Sequence, residues 1–210
     1  MTEDRRPRRP APFTPRQLDS FESRLDPAQV SEVAHETAAV LVRTGRAAHD
    51  PELTRRLVNL VDELGMSTIA ELWSSLPAVS LPGALWRLYV LREWVRRDPA
   101  GAVADYQSGR PYLDVSHAVA GAADPPSPEG LRDMGDAILT GAFEGDFAVA
   151  LERAAAFCDV ISVGRAHRAD ASDGHADQTA SAQTFSAAAL ATTASDLRRC
   201  ASSWRANTLV

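Results

Sequence analysis

Lysine is absent from the 210-residue chain: all 22 basic residues are Arg. The absence excludes Schiff-base chemistry, a phosphate-gripping P-loop lysine and a lysine general base. With so much Ala beside it, the bias reads as that of a GC-rich coding sequence. Cysteine is scarce. Cys158 and Cys200 are too few and too far apart for a disulfide framework or a zinc site. Cys158 stands among Ala, Phe and Val and reads as a small buried hydrophobe. No apolar run approaches the ~20 residues that span a membrane. The opening MTEDRRPRRPAP lacks the apolar core of a secretory signal. Cytoplasm is therefore the expected compartment, with no membrane contact. Short alternating runs of β-branched and aromatic residues do not recur, so strands are not expected.

Charge is unevenly spread. Residues 1–13 carry four Arg against two acids, and residues 165–210 carry five Arg against four Asp. Residues 14–164 hold 13 Arg against 22 acids, a net −9. Phosphate backbones are held by cationic contacts, so such a body disfavours nucleic acid outside the arms or a local patch.

What the sequence does have is helix starts. Thr14-Pro15, Asp26-Pro27, Asp50-Pro51, Asp98-Pro99 and Ser127-Pro128 each pair an N-cap residue with Pro at the first helical position. The cap oxygen satisfies an orphan N–H, and Pro has none to satisfy. The pairs cut the body into helices near 15–25, 27–44, 51–64, 68–75, 82–97, 99–108, 112–120, 128–140 and 146–164. Gly45, Gly65, Gly109, Gly121 and Gly164 fall at C-cap positions. The spacing of three and four in Val30, Val33, Ala34, Thr37, Ala38 and Leu41 makes one apolar stripe. Leu53, Leu57, Leu60, Val61 and Leu64 repeat the pattern. So do Phe147, Ala150, Leu151, Ala154, Phe157, Cys158 and Ile161.

Segment 82–97, PGALWRLYVLREWVRR, is apolar on nearly all sides. It is expected to be the central helix, with Trp86 and Trp94 carrying much of the packing. The fold class is thus all-α, an irregular multi-helix bundle around an aromatic-rich central helix. Four regions follow: a disordered Arg/Pro arm (1–13), a helical domain (14–164), a flexible linker (165–183) and a C-terminal amphipathic helix with its tail (184–210). The linker is inferred because 166–183 holds no Leu, Ile, Val, Met or aromatic residue. Beyond it Ala187, Leu190, Ala194, Leu197, Ala201 and Trp204 form a short heptad-like seam.

Catalytic patterns are not found. His35-Glu36 opens like a zinc-protease HExxH, but Ala39 stands where the second His is needed. His49, His117, His167 and His175 have no ligand spacing. Asp133 with Asp136, Glu144 with Asp146, and Asp62 with Glu63 read as solvated helix faces. No Gly-x-Ser-x-Gly elbow occurs. Gly141 and Gly145 lack the strand that a phosphate loop requires. No catalytic residue, metal ligand or cofactor is expected.

Candidates for partner binding are Trp86, Arg87, Trp94 and Arg97 on helix 82–97, where Tyr89, Arg92 and Arg96 also stand, and Leu190, Leu197 and Trp204 on the seam. Arg5, Arg6, Arg8 and Arg9 form an extended basic arm that suits phosphate contacts. Thr208-Leu209-Val210 fits the loose carboxylate pattern that PDZ pockets capture. The stretches LPGALWRLYVLREWVRRDP and ALERAAAFCDVISVGRA resemble segments of helical actinobacterial proteins, a resemblance that implies no activity and no site residue.

The leading expectation is a cytosolic, non-enzymatic interaction or adaptor protein that engages a protein partner or a second copy through its C-terminal helix. A nucleic-acid-associated regulator, using the Arg arm and helix 82–97, is the alternative. A ligand-binding or enzymatic bundle, with its site near Trp86, Tyr89 and Trp94, is the third.

Overall fold

A computed structural model describes residues 26–172 and 177–210. The Arg/Pro arm, the helix expected over 15–25 and residues 173–176 lie outside them. The described residues form helices and connecting turns, with no strand among them. In chain order the elements are α1 (Pro27–Ala48), α2 (Pro51–Val58), α3 (Leu60–Leu64), α4 (Met66–Trp73), α5 (Leu81–Arg97) and α6 (Pro99–Gly109). A 3₁₀ turn (Arg110–Tyr112) follows, then α7 (Asp114–Ala120), α8 (Pro128–Glu144), α9 (Phe147–Ser172) and α10 (Asp177–Arg205).

The Asx/Ser-Pro pairs act as caps. Asp26 accepts from the Ala28 amide at 3.0 Å, Asp50 from Glu52 at 2.9 Å, Asp98 from Gly101 at 2.9 Å and Ser127 from Gly130 at 3.0 Å. Each such cap contributes about 1 kcal/mol. Ser80 is a further cap, accepting from Gly83 at 3.1 Å with Pro82 at the second helical position. It starts α5 one residue earlier than the Pro alone suggests.

Two expected boundaries move for packing reasons. The helix expected over 51–64 breaks at Asn59, whose side-chain oxygen accepts from Arg92 Nη2 at 2.8 Å. The helix expected to stop at Gly164 runs on to Ser172. Gly164 is no cap but a contact point. A Cβ there would lie 1.7 Å from the Asp105 carbonyl oxygen, and one at Gly109 would lie 1.9 Å from that of Val160. Backbone of α6 therefore touches backbone of α9, which only glycine permits. Gly45 also sits inside its helix, and the left-handed cap of α1 is His49 at φ 49°. Gly65 and Gly121, with φ of 85° and 75°, do end α3 and α7.

The 165–183 segment is consequently helical at both its described ends rather than a linker throughout. Its small side chains hid this, because Ala169 packs as well as a larger residue where backbones are close; it is 1% exposed. α10 runs antiparallel to α9. Ser162 donates to the Ala187 carbonyl at 2.8 Å, Arg198 pairs with Asp159, and Arg205 pairs with Glu152 at 2.5 Å. The Ala/Leu seam thus docks on the chain's own α9: Ala194 and Leu197 are fully buried.

α5 is central, packing against α1, α4, α6, α8, α9 and α10. Its core face is Leu85, Leu88 and Tyr89. Tyr89 donates to the Leu57 carbonyl at 2.6 Å and stacks on Trp73, 6.2 Å between centroids. Trp86 and Trp94 are only half-buried. The expectation that they carry the core is corrected: α5 is apolar all round because one face is core and another walls a groove. Among the described residues no helix is long and apolar enough to cross a membrane.

Candidate functional site

The groove lies between α5 and α10 and encloses about 450 Å³. Trp86, Val90, Leu91 and Trp94 wall it from α5, and Leu190 with Thr193 faces them from α10. Helical spacing explains the wall: positions 86, 90 and 94 fall one turn apart along one side. Leu76 and Ser74, from the connection between α4 and α5, border it.

Two arginines stand in this groove, and both are committed. Arg165 reaches from α9, with Nε 2.8 Å from Asp105 Oδ2, its guanidinium 5.0 Å from the Trp94 ring centroid, and Nη1 donating to Ser186 Oγ. Arg168 takes the other oxygen of Asp105 at 2.5 Å. Asp105 is only 5% exposed, so this carboxylate holds two cations where water cannot screen them. Arg87 donates to the Gly83 carbonyl at 3.1 Å and lies 3.7 Å from Asp196. The result is an apolar trough with fixed, charge-balanced ends, and it contains no nucleophile–base pair.

Four of the seven expected partner residues meet here: Trp86, Arg87, Trp94 and Leu190. The other three do not. Leu197 is buried under α10, Arg97 is exposed and paired with Glu93 at 2.7 Å, and Trp204 lies at a second groove beside α1. Tyr89 points the opposite way, into the core. Arg165 escaped the sequence reading because it falls in the segment taken for a linker; its only signal was an Arg next to Gly164. Arg5, Arg6, Arg8 and Arg9 lie outside the described residues.

The remaining titratable groups are engaged structurally. Buried Arg92 meets Asp136 at 2.5 Å and Asp62 at 3.6 Å, and Arg96 also reaches Asp62 at 3.5 Å. Those acids, read as solvated faces, are counter-ions. His35 Nδ1 lies 2.7 Å from the Ser31 carbonyl, and His167 stacks on Tyr112 at 4.3 Å. His117 Nδ1 lies 3.0 Å from the Tyr106 hydroxyl, whose pKa burial pushes up to about 12. Burial also raises both thiols, Cys200 to about 11, so neither is a ready nucleophile at neutral pH. Among the described residues no group of three or more His, Cys, Asp or Glu could hold a metal ion. The Val210 carbonyl accepts from the Leu81 amide at 2.9 Å, so the Thr208-Leu209-Val210 tail is folded against the start of α5.

The class these features define is an all-α bundle with an aromatic groove. Beyond that class, comparison with family models, curated proteins and solved structures gives no match.

Proposed function

We propose that this chain is a cytosolic, non-enzymatic helical interaction protein whose binding surface is the α5/α10 groove. The observation that carries the reading is the exposure of two half-buried Trp beside Leu190 in a groove whose arginines are already neutralised. Trp and Arg anchors in a partly desolvated trough are what binding hot spots are made of. Paired arginines leave apolar complementarity as the main attraction. The groove reuses the C-terminal helix but not its seam, which is occupied by α9. A partner would therefore contact the Leu190–Thr193 edge of α10 together with α5.

A small apolar ligand in the same groove is the second reading, favoured by a volume within the range of small-molecule sites. Nucleic-acid binding would have to draw its cations from the N-terminal arm. On α5, Arg87, Arg92, Arg96 and Arg97 each have a carboxylate partner.

Leu190→Arg tests the proposal. It places a charge in the groove from a half-buried position and should leave thermal stability within about 1 kcal/mol of wild type. Tagged wild-type and variant chains are compared by crosslinked pull-down, and self-association by sedimentation velocity. The expected result is a partner, or a dimer, formed by wild type and lost in the variant. Identical capture and identical sedimentation coefficients would overturn the reading.

A further inference from the structure

A second groove, independent of the first, lies between α1 and the end of α10 and has a volume of about 550 Å³. Its floor is apolar: Ala39, Val42, Leu81, Trp204 and Leu209. Its rim carries Arg43 and Arg46, both exposed. Most other arginines of this acidic chain have found an acid. Among the described residues no carboxylate is paired with Arg43 or Arg46, and the one recorded contact is Arg46 over the Trp204 ring at 5.5 Å. Trp204 is held in turn against Phe147, 4.8 Å between centroids. Two unneutralised guanidiniums, one turn apart on α1, thus stand over a fixed aromatic floor.

We infer that this groove binds a single-chain amphiphilic carboxylate, taken up as a monomer from solution. The head group would pair with Arg43 and Arg46, whose planar forks match a carboxylate. The chain would lie on Trp204, Leu81 and Leu209. The dimensions favour a small molecule over a protein. From Ala39 to Ala47 the floor runs about 12 Å along α1 at 1.5 Å per residue. That is short of the ~800 Å² per partner of a standard protein interface. The charge argument selects an anion, because a neutral or cationic amphiphile would leave both arginines without a counter-ion.

The test is a calorimetric titration of the full chain with sodium decanoate below its micelle concentration, with decanol and decyltrimethylammonium as comparison probes. Saturable one-to-one decanoate binding is expected. It should weaken roughly tenfold or more in Arg43→Gln/Arg46→Gln, since hydrogen bonds to charged groups are lost. Both substitutions are at exposed positions, so the thermal transition should not move. Trp204→Phe should remove the accompanying fluorescence change, and Leu190→Arg should bind decanoate as wild type does, which separates this site from the α5/α10 groove. Absent saturation, or equal affinity for the double variant or the cationic probe, would overturn the inference. So would an arginine-dependent dimer, or retention on anionic phosphatidylglycerol vesicles, without monomer binding. Those outcomes would assign the groove to a second copy or to a lipid surface.

Discussion

Arg92 shows how one residue can determine local architecture. Its side chain is 2% exposed, yet it carries a full charge among Leu88, Val95 and Met134. It is tolerated because three acceptors converge from three helices: Asp136 on α8, Asn59 at the α2/α3 break and Asp62 on α3. The two ends of the Asp136 pair are not equivalent. Asp136 is 44% exposed and can return to water, whereas Arg92 cannot. Removing the acid strands a buried cation, while removing the cation leaves acids that water can solvate. Asp136→Ala should therefore cost more than Arg92→Met, by about 1–2 kcal/mol in urea unfolding. Equal costs, or the reverse order, would show that the network is not set by desolvation of Arg92. None of this was legible in the sequence. An Arg at position 92 of an apolar helix looks like any rim arginine, and only the converging acids show it to be internal.

At the scale of elements, spacing and end signals were legible where the cause is local. The caps at Asp26, Asp50, Asp98 and Ser127 need only their own next three residues, and each starts a helix where it was expected. What lay beyond local reading was the destination of each apolar face. The seam Ala187–Trp204 announces a stripe, but a stripe does not say against what it packs. Likewise Gly164 has the same sequence signature whether it ends a helix or lets two backbones meet. The groove was legible only in its parts: Trp86, Arg87, Trp94 and Leu190 were picked out, but nothing tied 86–94 to 190. Fully buried Leu197 and half-buried Leu190 now separate the two uses of α10. Leu197→Ala should lower stability by roughly 2–5 kcal/mol, as for other buried leucines. Leu190→Ala should cost under about 1 kcal/mol, because its site is open to solvent on the groove side. Thermal or urea denaturation of both variants decides this. Comparable losses would mean that the groove closes over Leu190 in solution.

The whole molecule is organised unevenly, and that unevenness is measurable. α9 carries a nearly continuous run of buried residues, with Phe147, Leu151, Phe157, Cys158 and Ile161 each at most 2% exposed, and it packs against α5, α6, α7, α8 and α10. α7 is its opposite. It has seven residues, no side-chain cap at Leu113, and only Ala120 buried, while Val115 and Val119 are 78% and 45% exposed. A helix so short cannot hold itself by hydrogen bonds alone, since nucleation is costly and propagation brief. Its order depends on the few contacts it makes with α9 and the 3₁₀ turn. Local opening should therefore span a wide range of free energies within the fold. In native-state hydrogen exchange the α7 amides should exchange first, at a small fraction of the global stability. Those of Phe157 and Cys158 should exchange last, with opening energies equal to global unfolding. The same ranking bears on the two grooves. One wall of the α5/α10 groove and the end of α10 at Trp204 rest on the most protected pair, α9 and α10, so both should be preformed. Fast exchange across Ala194–Ala201 would place α10 among the weakly held elements and would make both grooves transient.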